Sequence, residues 1–275
     1  MSQLLALLAS IFYGVGDFAG GLGARRMSPW RVTVWSLVLA MPLLLFGLLV
    51  FGWDEVRAAD IGFGAVAGLF GVVGIVALYS ALAAGTMSIV SPMTGVLIAA
   101  IPVVWGLVAG EAISARQWIG IVVALAAIAL VARDRTDARL TPAVVLTGLV
   151  AAVALSGFFI ALDQTAEASG QWPLVVENAV ALGLGLLVLA VLGELAPPPR
   201  DALPVVAFAG NATVAASMAA LVALQTGPLG ITVVLTSIYP AFTALAAVIV
   251  LHERPTAVQR IGIVLALVAA ALLVA

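Results

Sequence analysis

The chain contains no cysteine and no lysine, holds one histidine (His252), and carries charge on only 9% of its 275 residues. Each shortage removes a class of chemistry. Without cysteine there are no disulfides, thiolate metal sites or sulfur nucleophiles. With one histidine, a metal-dependent or Ser-His-Asp intramembrane enzyme has almost nothing to be built from. No GxxxxGK[ST] phosphate loop is present, so nothing supports an ATP-driven scheme. The expectation is a protein that is not an enzyme, has no cofactor and no metal, and takes no nucleic-acid partner. Soluble domains carry roughly 25% charged residues. This chain falls far below that, and 64% of it is hydrophobic.

Apolar segments fill the length that charge leaves vacant. Ten of them are long enough to approach the roughly 30 Å of a bilayer core at 1.5 Å rise per residue: 3–22, 32–52, 61–83, 88–109, 117–132, 143–163, 173–193, 203–223, 230–251 and 258–274. The spacers are brief and leave no room for a soluble domain, which argues against a sensor. No ring-forming filter motif points to a channel. The first segment lacks a basic n-region and runs a full span, unlike a cleaved signal peptide.

Glu111 to Leu130 returns as Glu253 to Leu272, 142 positions later and without a gap, with 12 of 20 positions identical. The shared Glu, Gln and Gly in one register go beyond what apolar composition gives by chance, so the chain reads as a tandem duplication, 1–135 and 136–275. Arg25, Arg26, Arg31, Arg133, Arg135, Arg139, Arg200, Arg254 and Arg260 fall after odd-numbered spans, whereas Arg57 and Arg116 lie on the other side. The positive-inside rule puts the nine-Arg side in the cytoplasm and both termini outside. Five spans per half is an odd number, so the halves are expected to run antiparallel. The expected fold class is thus an all-α integral membrane protein, ten transmembrane helices in two inverted five-helix repeats around a central cavity.

With the repeat, the ten spans and the paired glutamates in hand, the chain resembles the drug/metabolite transporter superfamily, in particular its EamA family, over its whole length. Ser10 to Arg26, with an aromatic-Gly pair, a nearby Asp-Phe, small residues and a basic pair at the end, is similar to the first-helix signature of one bacterial branch. Gly110-Glu111 and His252-Glu253 fit the family's span endings. The resemblance implies a multi-pass protein of the bacterial cytoplasmic membrane that exports amino acids, other metabolites or drugs. Many members carry Arg early in the second and seventh helices, where this chain has Trp35 and Glu177-Asn178.

Asp17 is the sharpest candidate. It stands some five residues inside the first span, and a charge at that depth costs about 2.5–3.5 kcal/mol on insertion scales unless it faces a cavity or a partner. Ser10, Tyr13, Gly14, Asp17, Gly20 and Gly21 share one helix face at three- and four-residue spacing. Asp17 can bind a proton or a cationic group, be capped by Arg25 or Arg26, or hydrogen-bond a neighbouring helix. Glu177 and Asn178, about a turn inside span seven, are expected on the same membrane side as Asp17, as a second polar pole or as a first-turn carboxylate favoured by the helix dipole. Asn211 is a deep polar group that either lines the cavity or bonds a neighbouring helix. Tyr79, Thr94, Trp105, Ser237 and Tyr239 are candidate cavity walls, the last two beside Pro240, whose ring should kink its span and bare a carbonyl. Glu111 and Glu253 read as architectural. Gly120/Ala124 and Gly262/Ala266 form small-xxx-small pairs that suit close packing of spans five and ten.

The function expected from these residues is secondary transport by alternating access: export of an amino acid, amine or amphipathic solute, with proton antiport as a drive. An uncoupled facilitator of a neutral or zwitterionic metabolite is the alternative. The partners are the solute, the bilayer and a proton, in a monomer or homodimer. The arginine bias makes one prediction at once. A single cysteine placed at Ser2 should react with a membrane-impermeant thiol reagent added outside intact cells, and labelling only after permeabilisation would invert the orientation.

Overall fold

A computed structural model describes residues 1–83, 87–110, 112–131, 142–251 and 257–274. Among them the ordered structure is helical: α1 (Ser2–Ala24), α2 (Pro29–Phe51), α3 (Ala58–Ala83), α4 (Met87–Val108), α5 (Ala115–Val131), α6 (Pro142–Asp163), α7 (Trp172–Leu192), α8 (Leu203–Thr226), α9 (Leu229–Thr236), α10 (Tyr239–Leu251) and α11 (Ala257–Val274), with a 3₁₀ turn at Glu167–Ser169. Six helices among the described residues (α1, α2, α3, α6, α7 and α8) are long and apolar enough to cross a membrane. Large side chains on the outer surface are apolar, with Phe46, Leu187, Val191 and Ile249 each more than half exposed. That surface suits hydrocarbon rather than water.

Local chemistry explains where helices start and stop. Ser28 caps α2, its hydroxyl accepting from the Arg31 amide at 3.4 Å, and Pro29 supplies the first-turn position that needs no N–H. Gly193 ends α7 at φ 70°, a left-handed conformation that glycine adopts without Cβ strain. In the ninth span, expected over 230–251 with a kink at Pro240, the helix breaks rather than bends. It is divided between α9 and α10, because Pro240 has no N–H to give and its ring would strike the carbonyl four residues back, on Thr236. Ser237 and Ile238 form the joint, their amides donating to the carbonyls of Val233 and Leu235.

The helices pack in a pattern with a hidden exchange. α1 packs on α8 and α3 on α6; α2 packs on α8 and α7 on α3; α4 packs on α6, and α9 and α10 pack on α1. α5 packs on α11, α2 on α7 and α4 on α9. Swapping α1 with α6, α2 with α7, α3 with α8, α4 with α9–α10, and α5 with α11 turns this set of contacts into itself. Two glycines show the same exchange at atomic scale. Gly210 lies against the Ser36 carbonyl and Gly68 against the Glu177 carbonyl, so close that neither position has space for a Cβ. Gly120 and Gly262 are buried, and α5 and α11 share a cluster of Ile121, Ala124, Ala127 and Ala269. Glu111 and Glu253 lie outside the described residues.

The two ends of the bundle are fastened differently. At one end the α1–α2 and α7–α8 turns meet: Ser28 donates to Glu194, the Arg31 guanidinium donates to the Pro197 carbonyl at 2.8 Å, and Arg26 faces Asp201 at 3.8 Å in a largely exposed pair. Exposed pairs of that kind contribute about 0–1 kcal/mol. At the other end the α2–α3 and α6–α7 turns interlock. The Asp54 and Glu55 amides donate to the Ala168 carbonyl, and the Ala166 amide donates to the buried Asp60 carboxylate at 2.8 Å. The Gln225 amide donates to the Ala166 carbonyl at 2.9 Å, and Trp53 meets Trp172 edge to face.

Removing Asp60 strands the part-buried amides of Arg57 and Ala166 that it satisfies, a loss of up to about 1–3 kcal/mol per orphaned donor. Asp60→Ala should therefore lower the melting temperature of the detergent-solubilised protein more than Asp201→Ala, and equal shifts would contradict the difference between the ends. Gly68→Ala and Gly210→Ala should each destabilise by about 1–3 kcal/mol as overpacking does, read from the same melting curves.

Candidate functional site

Midway along the bundle the helices enclose a cavity that leaves about 100 Å³ for the centres of water-sized groups. Residues of α1, α2, α3, α4, α6, α7 and α8 line it, together with the α9–α10 joint. Among the described residues the lining contains two charged side chains, Asp17 and Glu177, and no Arg or His. Asp17 is buried, and its Oδ1 has no hydrogen-bond partner within the protein. The hydroxyls of Thr33 and Ser237 in the same lining are also buried without partners. Buried polar atoms are nearly always satisfied, so unsatisfied ones around a single hollow give a solute something to bind.

Tyr13 lies one helical turn before Asp17 on α1, which puts both on the same face. Its hydroxyl is 2.9 Å from the Ser217 hydroxyl on α8 and its ring meets Phe159 edge to face at 6.2 Å. Phe158 and Phe159 extend that aromatic wall along α6. Tyr79 comes from α3, its ring lying on Gly20 of α1 so closely that a Cβ there would overlap the ring. On α7, the Glu177 carboxylate stands beside Gly71 of α3.

The structure brings Tyr13, Asp17, Tyr79, Glu177, Ser237 and Tyr239 into one cavity. It sends four other sequence candidates elsewhere. Asn178 is buried one residue around α7 from Glu177, outside the lining. Asn211 follows Gly210, where α8 touches α2. There its amide donates to the Ala207 carbonyl at 2.8 Å and to the Leu39 carbonyl at 3.5 Å, an interhelix tie rather than a cavity group. Thr94 is buried between α4 and α6, its hydroxyl donating to the Gly148 carbonyl at 3.5 Å. Trp105 is 49% exposed on the outer face of α4, where an indole suits lipid contact and not a cavity wall.

Two further expectations need correcting. Arg26 reaches Asp201 across the bundle end, so it does not cap Asp17. Glu177 enters the cavity from the end that holds the Trp53–Trp172 pair, because α7 begins there, whereas Asp17 enters from the Arg26 end, where α1 finishes. The two carboxylates therefore approach from opposite ends and not from one.

The reading by residue type passed over Thr33 and Ser36 on α2, Phe158 and Phe159 on α6, and Thr213 and Ser217 on α8. The spacing carried a signal for some of them: Thr33/Ser36 and Thr213/Ser217 sit three and four residues apart, on single helix faces. The 142-residue repeat carried a stronger one. Tyr13 and Leu155, Asp17 and Phe159, Gly71 and Thr213, and Ile75 and Ser217 are pairs at that offset, and all eight residues line the cavity. The two halves place the same positions on the cavity, yet within each pair the more polar member always belongs to the α1–α8 wall. Its counterpart belongs to the α3–α6 wall.

Comparison with known proteins follows from this geometry. A solved structure described as "Crystal structure of protein" superposes with a TM-score of 0.74 at 19% identity, covering 98% of this chain and 95% of that one, which is a likeness of fold. No curated protein matched the sequence. The model of the EamA-like transporter family matches twice, over residues 1–133 and again over 142–275. Together these matches take in nearly every residue, and the chain belongs to the EamA-like transporter family.

Proposed function

We propose that the protein is a secondary transporter that exports a small amine-bearing, amphipathic solute by alternating access, in exchange for protons. The observation that carries this reading is the charge of the cavity lining, two carboxylates and no basic side chain among the described residues. A solute anion would be repelled there. A protonated amine gains a charge-assisted hydrogen bond to an oxygen that otherwise has none. A proton satisfies the same oxygen, so amine and proton compete for Asp17 and one replaces the other.

The packing supports the moving parts. In this reading ten crossings form two inverted halves, 1–135 and 136–275, which explains why the contact set survives the exchange of α1–α5 with α6–α11. It also explains why α1 begins at the end where α6 finishes: Ser2 lies beside Gly227, and the α6–α7 turn is bonded to Gln225 nearby. Rocking of one half against the other exchanges the interlocked end for the loosely held one. The arginine-rich side is cytoplasmic, in a bacterial cytoplasmic membrane. Because one chain encloses the cavity, a monomer suffices.

Counterflow in proteoliposomes tests the reading with a panel of amines, amino acids and lipophilic cations, at pH 6 and pH 8. The cation site opens as carboxylates lose their protons, so apparent amine affinity should rise between the two conditions. Asp17→Asn should reduce amine exchange by more than tenfold and flatten what pH dependence remains. Exchange that keeps both its rate and its pH dependence in the variant would reduce the protein to an uncoupled facilitator and return Asp17 to a structural role.

A further inference from the structure

A second hollow lies on the outer surface, halfway along α3 and α6. Val66, Leu69, Phe70 and Val73 on α3 and Val150 and Val153 on α6 line it, and all six are aliphatic or aromatic and at least a third exposed. This groove and the central cavity are back to back. Phe70, Val73 and Val153 face outward, while their neighbours Gly71, Val72 and Leu155 face the cavity. Between them stands a wall one helix contact thick, closed at two glycines. Phe70 lies over Gly157, whose Cβ would come within 3.0 Å of the ring, and Leu155 fills the space against Gly74, whose Cβ would come within 2.7 Å of it. Side chains fill the seam at both glycines, and at Gly74 the Leu155 amide nitrogen also lies 3.2 Å from the Cβ position; side chains change rotamer far faster than helices move.

The groove stands outside the apolar wall of the cavity. Asp17, Tyr13, Thr213 and Ser217 form the polar wall opposite, and apart from the Tyr79 hydroxyl on α3 and Glu177 at its edge the α3–α6 side offers hydrocarbon. An amphipathic amine that binds Asp17 through its head thus directs its apolar body at the seam. In a bilayer such a molecule keeps its amine at the interface and its tail near the midplane, the depth of the groove on both helices.

We propose that the α3–α6 seam is a lateral door through which the apolar part of an amphipathic amine passes between the bilayer and the cavity. The proposal rests on the amine reading for its occupant, but the door itself can be tested without transport, because the chain has no native cysteine. Val153→Cys and Leu155→Cys are each reconstituted and treated either with a maleimide anchored on a long alkyl chain in the bilayer or with a small water-soluble thiol reagent. The anchored reagent should label Val153→Cys, and Leu155→Cys within about tenfold of that rate. Adding Val153→Trp to Leu155→Cys should abolish labelling from the bilayer and leave labelling from water unchanged, which also shows that the variant is folded. Leu155→Cys that the anchored reagent never reaches, or reaches equally well with Trp at 153, overturns the door. If the door is found but no amine exchanges, the door stands and the amine reading falls.

Discussion

Everything in this bundle is arranged around keeping two carboxylates inside a span-length apolar body. Placing one charge at such depth costs about 2.5–3.5 kcal/mol on insertion scales, and a protein of ordinary stability has about 5–15 kcal/mol in all. Asp17 and Glu177 together would consume much of that margin if they faced lipid. The fold turns both toward a hollow edged with hydroxyls and aromatic rings. There they meet a polar surface on α1 and α8, and the Tyr13–Ser217 contact holds that surface in place.

The hollow depends in turn on how closely the backbones approach around it. Gly68 against Glu177 and Gly210 against Ser36 bring α3 to α7 and α8 to α2 at distances that no side chain would permit. Small residues at such crossings let dispersion and backbone contacts replace the hydrophobic force that lipid removes. The close crossings lie on the sides of the cavity and aromatic residues line it between them.

Much of this was legible in the residues, and the parts that were not have identifiable causes. Helix positions followed from the lengths of apolar runs, since a span must satisfy its own backbone inside hydrocarbon. Asp17, Tyr13 and Tyr79 were found because a polar atom within an apolar run needs a reason. The same argument misplaced Thr94 and left Asn211 between two roles, because a lone polar side chain can satisfy that need with a neighbouring carbonyl, and composition cannot tell a carbonyl from a cavity. Trp105 failed for the opposite reason, as an indole is equally at home against lipid. Phe158 and Phe159 escaped notice because aromatics in an apolar run carry no mark of which way they face. For Phe159 the partner at the 142-residue offset, Asp17, reveals it, whereas Phe158 pairs with Gly16, which lies outside the lining.

That offset carries the last step of the argument. A duplicated chain begins with two identical walls, and a cavity between identical walls treats both ends of a solute alike. Here the scaffold has kept its symmetry while the lining has lost it: Asp17 stands where the other half has Phe159, and Ser217 where it has Ile75. Symmetric packing lets two arrangements of the halves have similar free energies, the condition for exchange between them at modest cost. In the proposed mechanism, an asymmetric lining binds an asymmetric solute in one orientation in both arrangements, charge against α1 and α8, apolar body against α3 and α6. In that mechanism duplication supplies the motion and divergence supplies the selectivity. The two reside in different residues, the glycines at the crossings and the side chains that face the cavity.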